Sequence, residues 1–123
     1  MIITAAHCVQ NKGEYAPRKA DEATWYLGKN DLSTISGEPN FVTSSVSEFI
    51  IHPKWDPNSK NFDADIAISV LVRKIEFNKY VNSICLWSSS SGYNDLVGKP
   101  GIVAGWGKTD FNASKLESHF HYK

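Results

Sequence analysis

Cysteine is scarce in this sequence, with two in 123 residues. A single pair is a poor disulfide framework for a small domain. Charge of one sign is not in excess either. The chain carries 13 Lys and Arg against 13 Asp and Glu, so no basic surplus points to nucleic acid or an anionic membrane as a partner. No apolar run approaches the roughly 18 residues of a membrane span. No charged segment followed by an apolar stretch and a small-residue cleavage site marks a signal peptide. No self-similarity occurs at solenoid periods, and no stretch reads as a helix of note. What remains is a chain of single-domain size. Its 41% hydrophobic and 12% aromatic residues are ample for a core and argue against disorder.

The apolar residues fall in short runs. Residues 24–27 (T-W-Y-L) are rich in strand formers and are ended by 28–31 (G-K-N-D). Residues 41–51 mix alternation with an apolar end, as a long bent strand does. Pro53 and Pro57 then stop the run, because proline cannot donate to a ladder. Residues 66–72 (I-A-I-S-V-L-V) form an apolar run of buried-strand type. Residues 99–107 read as one further strand whose glycines permit close backbone approach. Between these runs, residues 11–22 are polar with Gly13 and Pro17 as breakers, a surface loop. Residues 73–91 contain a serine run at 88–91 that needs no function. Short strands separated by turn signals predict an all-β barrel.

The chemistry concentrates at residues 1–8 (M-I-I-T-A-A-H-C) and 63–68 (D-A-D-I-A-I). A β-branched run ending in two alanines packs closely and delivers His7 to the rim of a sheet. Asp65 directly precedes the apolar strand, 58 positions after His7 (65 − 7). I-T-A-A-H-C resembles the histidine signature of the trypsin-like (chymotrypsin-family) serine proteases. D-I-A-I resembles their aspartate signature, and G-W-G-K-T at 105–109 a third landmark in the same chain order. The resemblance covers nearly all of residues 1–111. It implies that His7 and Asp65, rather than the turn residue Asp63, are catalytic. In that chemistry a neutral imidazole takes a proton from a serine hydroxyl and later gives it to the leaving amine. A carboxylate on its other nitrogen fixes the tautomer and stabilises the imidazolium. The order His before Asp is that of this family and not of the other folds that carry the same triad.

The resemblance further implies an incomplete chymotrypsin-like double β-barrel. Residues 1–72 would hold the later strands of the first barrel and 73–98 a connector. Residues 99–111 would begin the second barrel, and 112–123 form a divergent tail. Cys8 matches a cysteine that bridges to an upstream strand. Cys85 matches one that ties the catalytic domain to a propeptide or light chain. Such half-bridges imply a secreted parent protein. The remaining parts of the family's site are missing from the sequence. There is no Gly-Asp-Ser-Gly-Gly stretch to supply a nucleophile and oxyanion donors, no I-V-G-G activation segment, and no G-x-S-x-G elbow. Because triad members act as a unit, the expectation is a serine-type endopeptidase parent acting on protein or peptide substrates, with this chain a truncated, inactive fragment. The alternative is a non-catalytic protease homologue serving as a binding or regulatory module in an extracellular protease cascade. His7 and Asp65 should meet at Nδ1, with Nε2 facing open space where the serine belongs.

No cofactor or metal is expected. His119 and His121 have strand spacing for two ligands but lack a third, and a tail reading outweighs a metal site. His52 reads as a strand-end surface residue. Residues 112–114 (N-A-S) form a glycosylation sequon if the chain is secreted. The loop at 11–22 would restrict access to a cleft or be a solvated insertion, and loops tolerate insertions.

Overall fold

The structure is a computed structural model that describes residues 1–34, 41–86, 96–108 and 121–122. The strands are β1 (Ile2–Thr4), β2 (Thr24–Leu27), β3 (Val42–Ile51), β4 (Ala67–Leu71), β5 (Ala104–Gly105) and β6 (His121–Tyr122). A single helical turn, α1 (Ala6–Val9), follows β1, and a 3₁₀ turn spans Ala20–Glu22. The chain divides into two compact units, one of Met1–Leu27 with Val42–Glu76, the other of Gly28–Phe41 with Phe77–Lys123.

The first unit is an antiparallel sheet in the order β1-β4-β3-β2, which bears out the all-β expectation. β3 is the long bent strand that the alternation of residues 41–51 predicts. Its first half pairs with β2, from Val42 opposite Leu27 to Ser45 opposite Thr24. Its second half pairs with β4, from Val46 opposite Leu71 to Ile51 opposite Ala67, with a register shift between Val46 and Glu48. The extra residue is absorbed there as a bulge, which bends the strand and raises its twist. Ser47 and Glu48 are both exposed, so the next inward side chain, Phe49, returns to the core side with Val46. The Ser47 hydroxyl donates to the Val70 carbonyl at 3.1 Å.

The core of this unit is small. Ala6, Val9, Val46, Phe49 and Ala67 are buried together, and Ala20, Ala23, Trp25, Ile51 and Trp55 pack against them. Two alanines at its centre allow α1 to sit close to β4. Burial of so little apolar surface, at roughly 25 cal/mol per Å², leaves large side chains such as Tyr26, Ile50 and Phe62 exposed.

The second unit has a sparser organisation. β5 pairs with β6 over two residues only. The further strand read over residues 99–107 is therefore reduced to Ala104–Gly105. Ile102 and Val103, each 79% exposed, find no apolar surface to cover, and Gly101, Gly105 and Gly107 bring no side chains to pack. Local bonds hold its turns. Asn78 Oδ1 accepts the Tyr80 and Val81 amides at 2.7 and 3.0 Å, and the Trp106 indole donates to the Asn30 carbonyl at 2.8 Å.

Candidate functional site

Strand register places the site. Thr4 of β1 lies opposite Ala67 of β4 in an antiparallel pair, so the chain leaves β1 at the end where it enters β4. His7 follows Thr4 by three positions and Asp65 precedes Ala67 by two, which brings both to one edge. Ala5 and Ala6 let the chain turn closely there. His7 then falls on the first turn of α1, whose N-cap residue, Ala5, supplies no side-chain hydrogen bond.

Asp65 makes up for that missing cap. Its Oδ1 accepts the His7 amide at 2.9 Å, satisfying one of the N-terminal N–H groups that a helix leaves without an intrahelical partner. Its Oδ2 lies 2.6 Å from His7 Nδ1, short enough for a charge-assisted bond. One carboxylate therefore holds both the backbone and the ring of the same residue, which fixes the imidazole's position and orientation. The turn that presents Asp65 is itself constrained. The Asp65 amide donates to the Phe62 carbonyl at 3.3 Å, and the Ile66 amide donates to the Ala64 carbonyl at 2.7 Å. Ala64 sits at φ +58°, a left-handed conformation that costs a residue with a Cβ about 1 kcal/mol or more.

Electrostatics follow from this geometry. The Asp65 side chain is 12% exposed and that of His7 54%. Burial by itself raises the Asp65 carboxyl's pKa. The His7 amide, the imidazole hydrogen bond, the imidazole's charge and the Ala6 amide together outweigh it, and the carboxyl is held below its ordinary value. The pair is thus a carboxylate that stays ionised, partly shielded from water, against an imidazole whose side chain is about half exposed. The Phe62 ring stands edge-on to His7, with centroids 5.9 Å apart.

The expectation that Nε2 faces open space is corrected by one contact. Cys8 Sγ lies 3.6 Å from it, because the next residue of the same short turn folds its side chain back along the ring. Cys8 and Cys85 both carry free, exposed thiols. The motif points Cys8 toward an upstream partner and gives no hint of this neighbour, though the adjacency His7-Cys8 was the available signal.

The other candidates named from the sequence fall elsewhere or out of view. Asp63 is exposed beside the turn. His52 is exposed at the end of β3, where its Nδ1 accepts the Lys54 amide at 3.2 Å. The serine run at 88–91, the sequon at 112–114 and His119 lie outside the described residues, and His121 is described only as part of β6. Among the described residues no group of three or more His, Cys, Asp or Glu is placed to hold a metal ion.

A protein-family model described as Trypsin matches residues 1–121, past the 111 positions over which the motifs are legible. Serine protease gd of Drosophila melanogaster is 34% identical over 108 residues, covering 86% of this chain and 19% of that protein. Complement C1s subcomponent of Sus scrofa is 33% identical over 113 residues, 89% of this chain and 15% of that protein. CLIP domain-containing serine protease HP8 of Bombyx mori is 35% identical over 116 residues, 89% of this chain and 31% of that protein. The chain thus spans less than a third of the length of each of these relatives.

Proposed function

Because the chain belongs to the trypsin family of serine proteases, we propose that it carries the proton-handling half of a serine-type endopeptidase site, with His7 as general base and acid and Asp65 as the residue that orients it. The observation that carries this reading is the doubly bonded carboxylate, Oδ2 at 2.6 Å from the ring and Oδ1 at 2.9 Å from the amide of one histidine. With Nδ1–H pinned to Asp65, the lone pair of Nε2 points outward, where it can take a proton from a hydroxyl attacking a peptide carbonyl. The imidazolium so formed is stabilised by the adjacent carboxylate and then returns the proton to the leaving amine. The weak sulfur contact at Nε2 is long enough to yield to a stronger donor toward that lone pair, a serine hydroxyl.

The nucleophile and the oxyanion donors are not in this sequence, so the parent protein supplies them and this chain by itself turns over no peptide or ester. In this reading residues 1–72 are part of the first barrel, 73–98 connect, 99–111 open the second barrel, and 112–123 diverge. The setting proposed for the parent is extracellular, with Cys85 available to join a propeptide or light chain, and its substrates are proteins. A non-catalytic homologue serving as a binding or regulatory module in an extracellular protease cascade is the second reading.

Activity of the whole protein tests the assignment. Asp65→Asn should lower kcat about 10⁴-fold, the size this substitution shows elsewhere in the family, with KM little changed. Hydrolysis by the whole protein that survives His7→Ala would refute it. A whole protein with no hydrolysis at all selects the second reading. For this chain alone, a fluorophosphonate serine probe should leave no labelled serine.

A further inference from the structure

We propose that a recess in the first unit binds an extended, proline-containing peptide segment through its backbone amides, with Gln10 and Trp55 as the groups that hold it. The proposal uses neither His7 nor Asp65 and stands independently of the protease reading. The recess has a volume of about 270 Å³ and is lined by two loops. Residues 11–17 supply Tyr15 and Pro17, and residues 52–57 supply Pro53, Trp55 and Pro57. Gln10, the residue that ends α1, lines it as well and is 5% exposed.

Both loops are held in place without a ligand. Tyr15 Oη accepts the Asn58 side-chain amide at 3.1 Å, which ties one loop to the other. The first loop closes on itself, with the Glu14 amide donating to the Asn11 carbonyl at 3.1 Å and the Arg18 guanidinium to Asn11 Oδ1 at 2.6 Å. In the second, the Trp55 amide donates to the His52 carbonyl and the Asn58 amide to Asp56 Oδ1, each at 2.9 Å. A site formed in advance loses less entropy when it is filled.

Two buried polar atoms of the lining residues are orphaned. Gln10 Oε1 and Trp55 Nε1 make no hydrogen bond among the described residues. Such atoms are rare, because each gives up its hydration without compensation. One is an acceptor and the other a donor. A peptide backbone complements both: an amide N–H donates to Gln10 Oε1, and a carbonyl accepts from the Trp55 indole. Both atoms are shut from water in the free chain, and a turn of their side chains toward the recess gives them these partners.

The remaining lining narrows the ligand's side chains. No Asp, Glu, Lys or Arg lines the recess, and Nδ1 of its His52 already accepts the Lys54 amide at 3.2 Å, so nothing there balances a charged ligand. Aromatic faces beside unpaired hydrogen-bonding groups suit a polyproline II segment, whose backbone has no internal hydrogen bonds and which docks in aromatic-lined grooves. A volume just below the roughly 300–1,000 Å³ of drug-sized ligand sites fits one or two residues of such a segment.

Proton–nitrogen correlation spectra of the chain, titrated with the uncharged peptide acetyl-Ala-Pro-Ala-Pro-Ala-amide, test this. The Trp55 indole proton, assigned through Trp55→Phe, should move downfield and saturate with a Kd of about 1 mM, the weak end of the affinity scale. The Trp106 indole, already bonded to the Asn30 carbonyl, should not move. Gln10→Leu should weaken binding about fivefold, the size of one net hydrogen bond. The free Gln10→Leu chain should melt no lower than wild type, because carbon replaces an unpaired buried oxygen. Tyr15→Ala, at a position 79% exposed, should fold normally and weaken binding about threefold through the lost aromatic face. No saturable shift at Trp55, equal affinity for wild type and Gln10→Leu, or a lower melt of Gln10→Leu would overturn the site. Equal binding of acetyl-penta-alanine amide would overturn the choice of a proline-containing segment.

Discussion

The two units of this chain respond differently to the same problem of burying apolar side chains. The first closes five residues, Ala6, Val9, Val46, Phe49 and Ala67, into a core beneath a four-stranded sheet. The second buries one apolar residue among those described, Val81, and pairs strands over only two positions. Its Ile84, Leu86, Val97, Ile102 and Val103 are all exposed by 71% or more. The sequences differ less than the outcome, since both contain β-branched runs with turn residues between them. The difference lies in partners. β3 offers ten residues against which two other strands register, whereas residues 99–107 pair, among the described residues, with His121 and Tyr122 alone. A strand is stabilised by what it packs against, so equal propensity yields unequal structure.

The largest test of this contrast is in the core. Phe49→Ala should destabilise the first unit by about 3–5 kcal/mol, the usual range for removing a buried ring. Ile102→Ala, at 79% exposure, should change stability by no more than about 0.5 kcal/mol. Urea titration followed by hydrogen exchange would show the first change in β3 and β4 and almost none for the second. Equal effects would mean that the two units share one cooperative core.

Next in size is the loss of the cap and ring partner at Asp65. Asp65→Asn should cost about 1–2 kcal/mol, because the His7 amide loses an ionised acceptor and the imidazole its counter-charge; the openness of His7 keeps the figure low. The same group sets an acid limit. Its carboxyl titrates below its ordinary value in the fold, so protons bind the unfolded chain more readily. Its stabilisation is complete above the unfolded value of about 4 and is lost as pH falls through the lower folded value. Thermal melts between pH 6 and pH 2 should show a steeper decline for the wild-type chain than for Asp65→Asn. Parallel curves would count against the assignment.

The smallest effect belongs to the turn that delivers Asp65. Ala64→Gly relieves a positive φ of 58° but adds freedom to the unfolded chain, and the two terms should cancel to within about 0.5 kcal/mol. Ala64→Val, with a branched Cβ at the same angle, should destabilise by more than about 1 kcal/mol. A tolerated valine would show that the turn relaxes rather than holds.

Much of the first unit was legible in the sequence. Residues 24–27 match β2, and 41–51 and 66–72 enclose β3 and β4 to within a residue or so, because alternation and flanking prolines report on local burial. The meeting of His7 with Asp65 followed from motifs at the two ends of neighbouring strands. Three features were not legible. The turn of helix at Ala6–Val9 is too short to show a period, and its cap comes from a residue 58 positions away. Buried Ser44 and Ser69, at 2% and 0% exposure, look polar in any scale but sit where the sheet turns them inward. The failure of 99–107 to extend as a strand depends on a partner, which no local pattern records.

Everything proposed for His7 rests on Asp65 fixing its proton on Nδ1 and leaving Nε2 as the acceptor. Two-dimensional proton–nitrogen correlation of the His7 ring, taken where the imidazole is neutral, reads this out. The expected spectrum has a protonated Nδ1 with its proton shifted far downfield, an unprotonated Nε2, and no downfield signal in Asp65→Asn. A neutral ring protonated at Nε2, with a spectrum unchanged by Asp65→Asn, would contradict it.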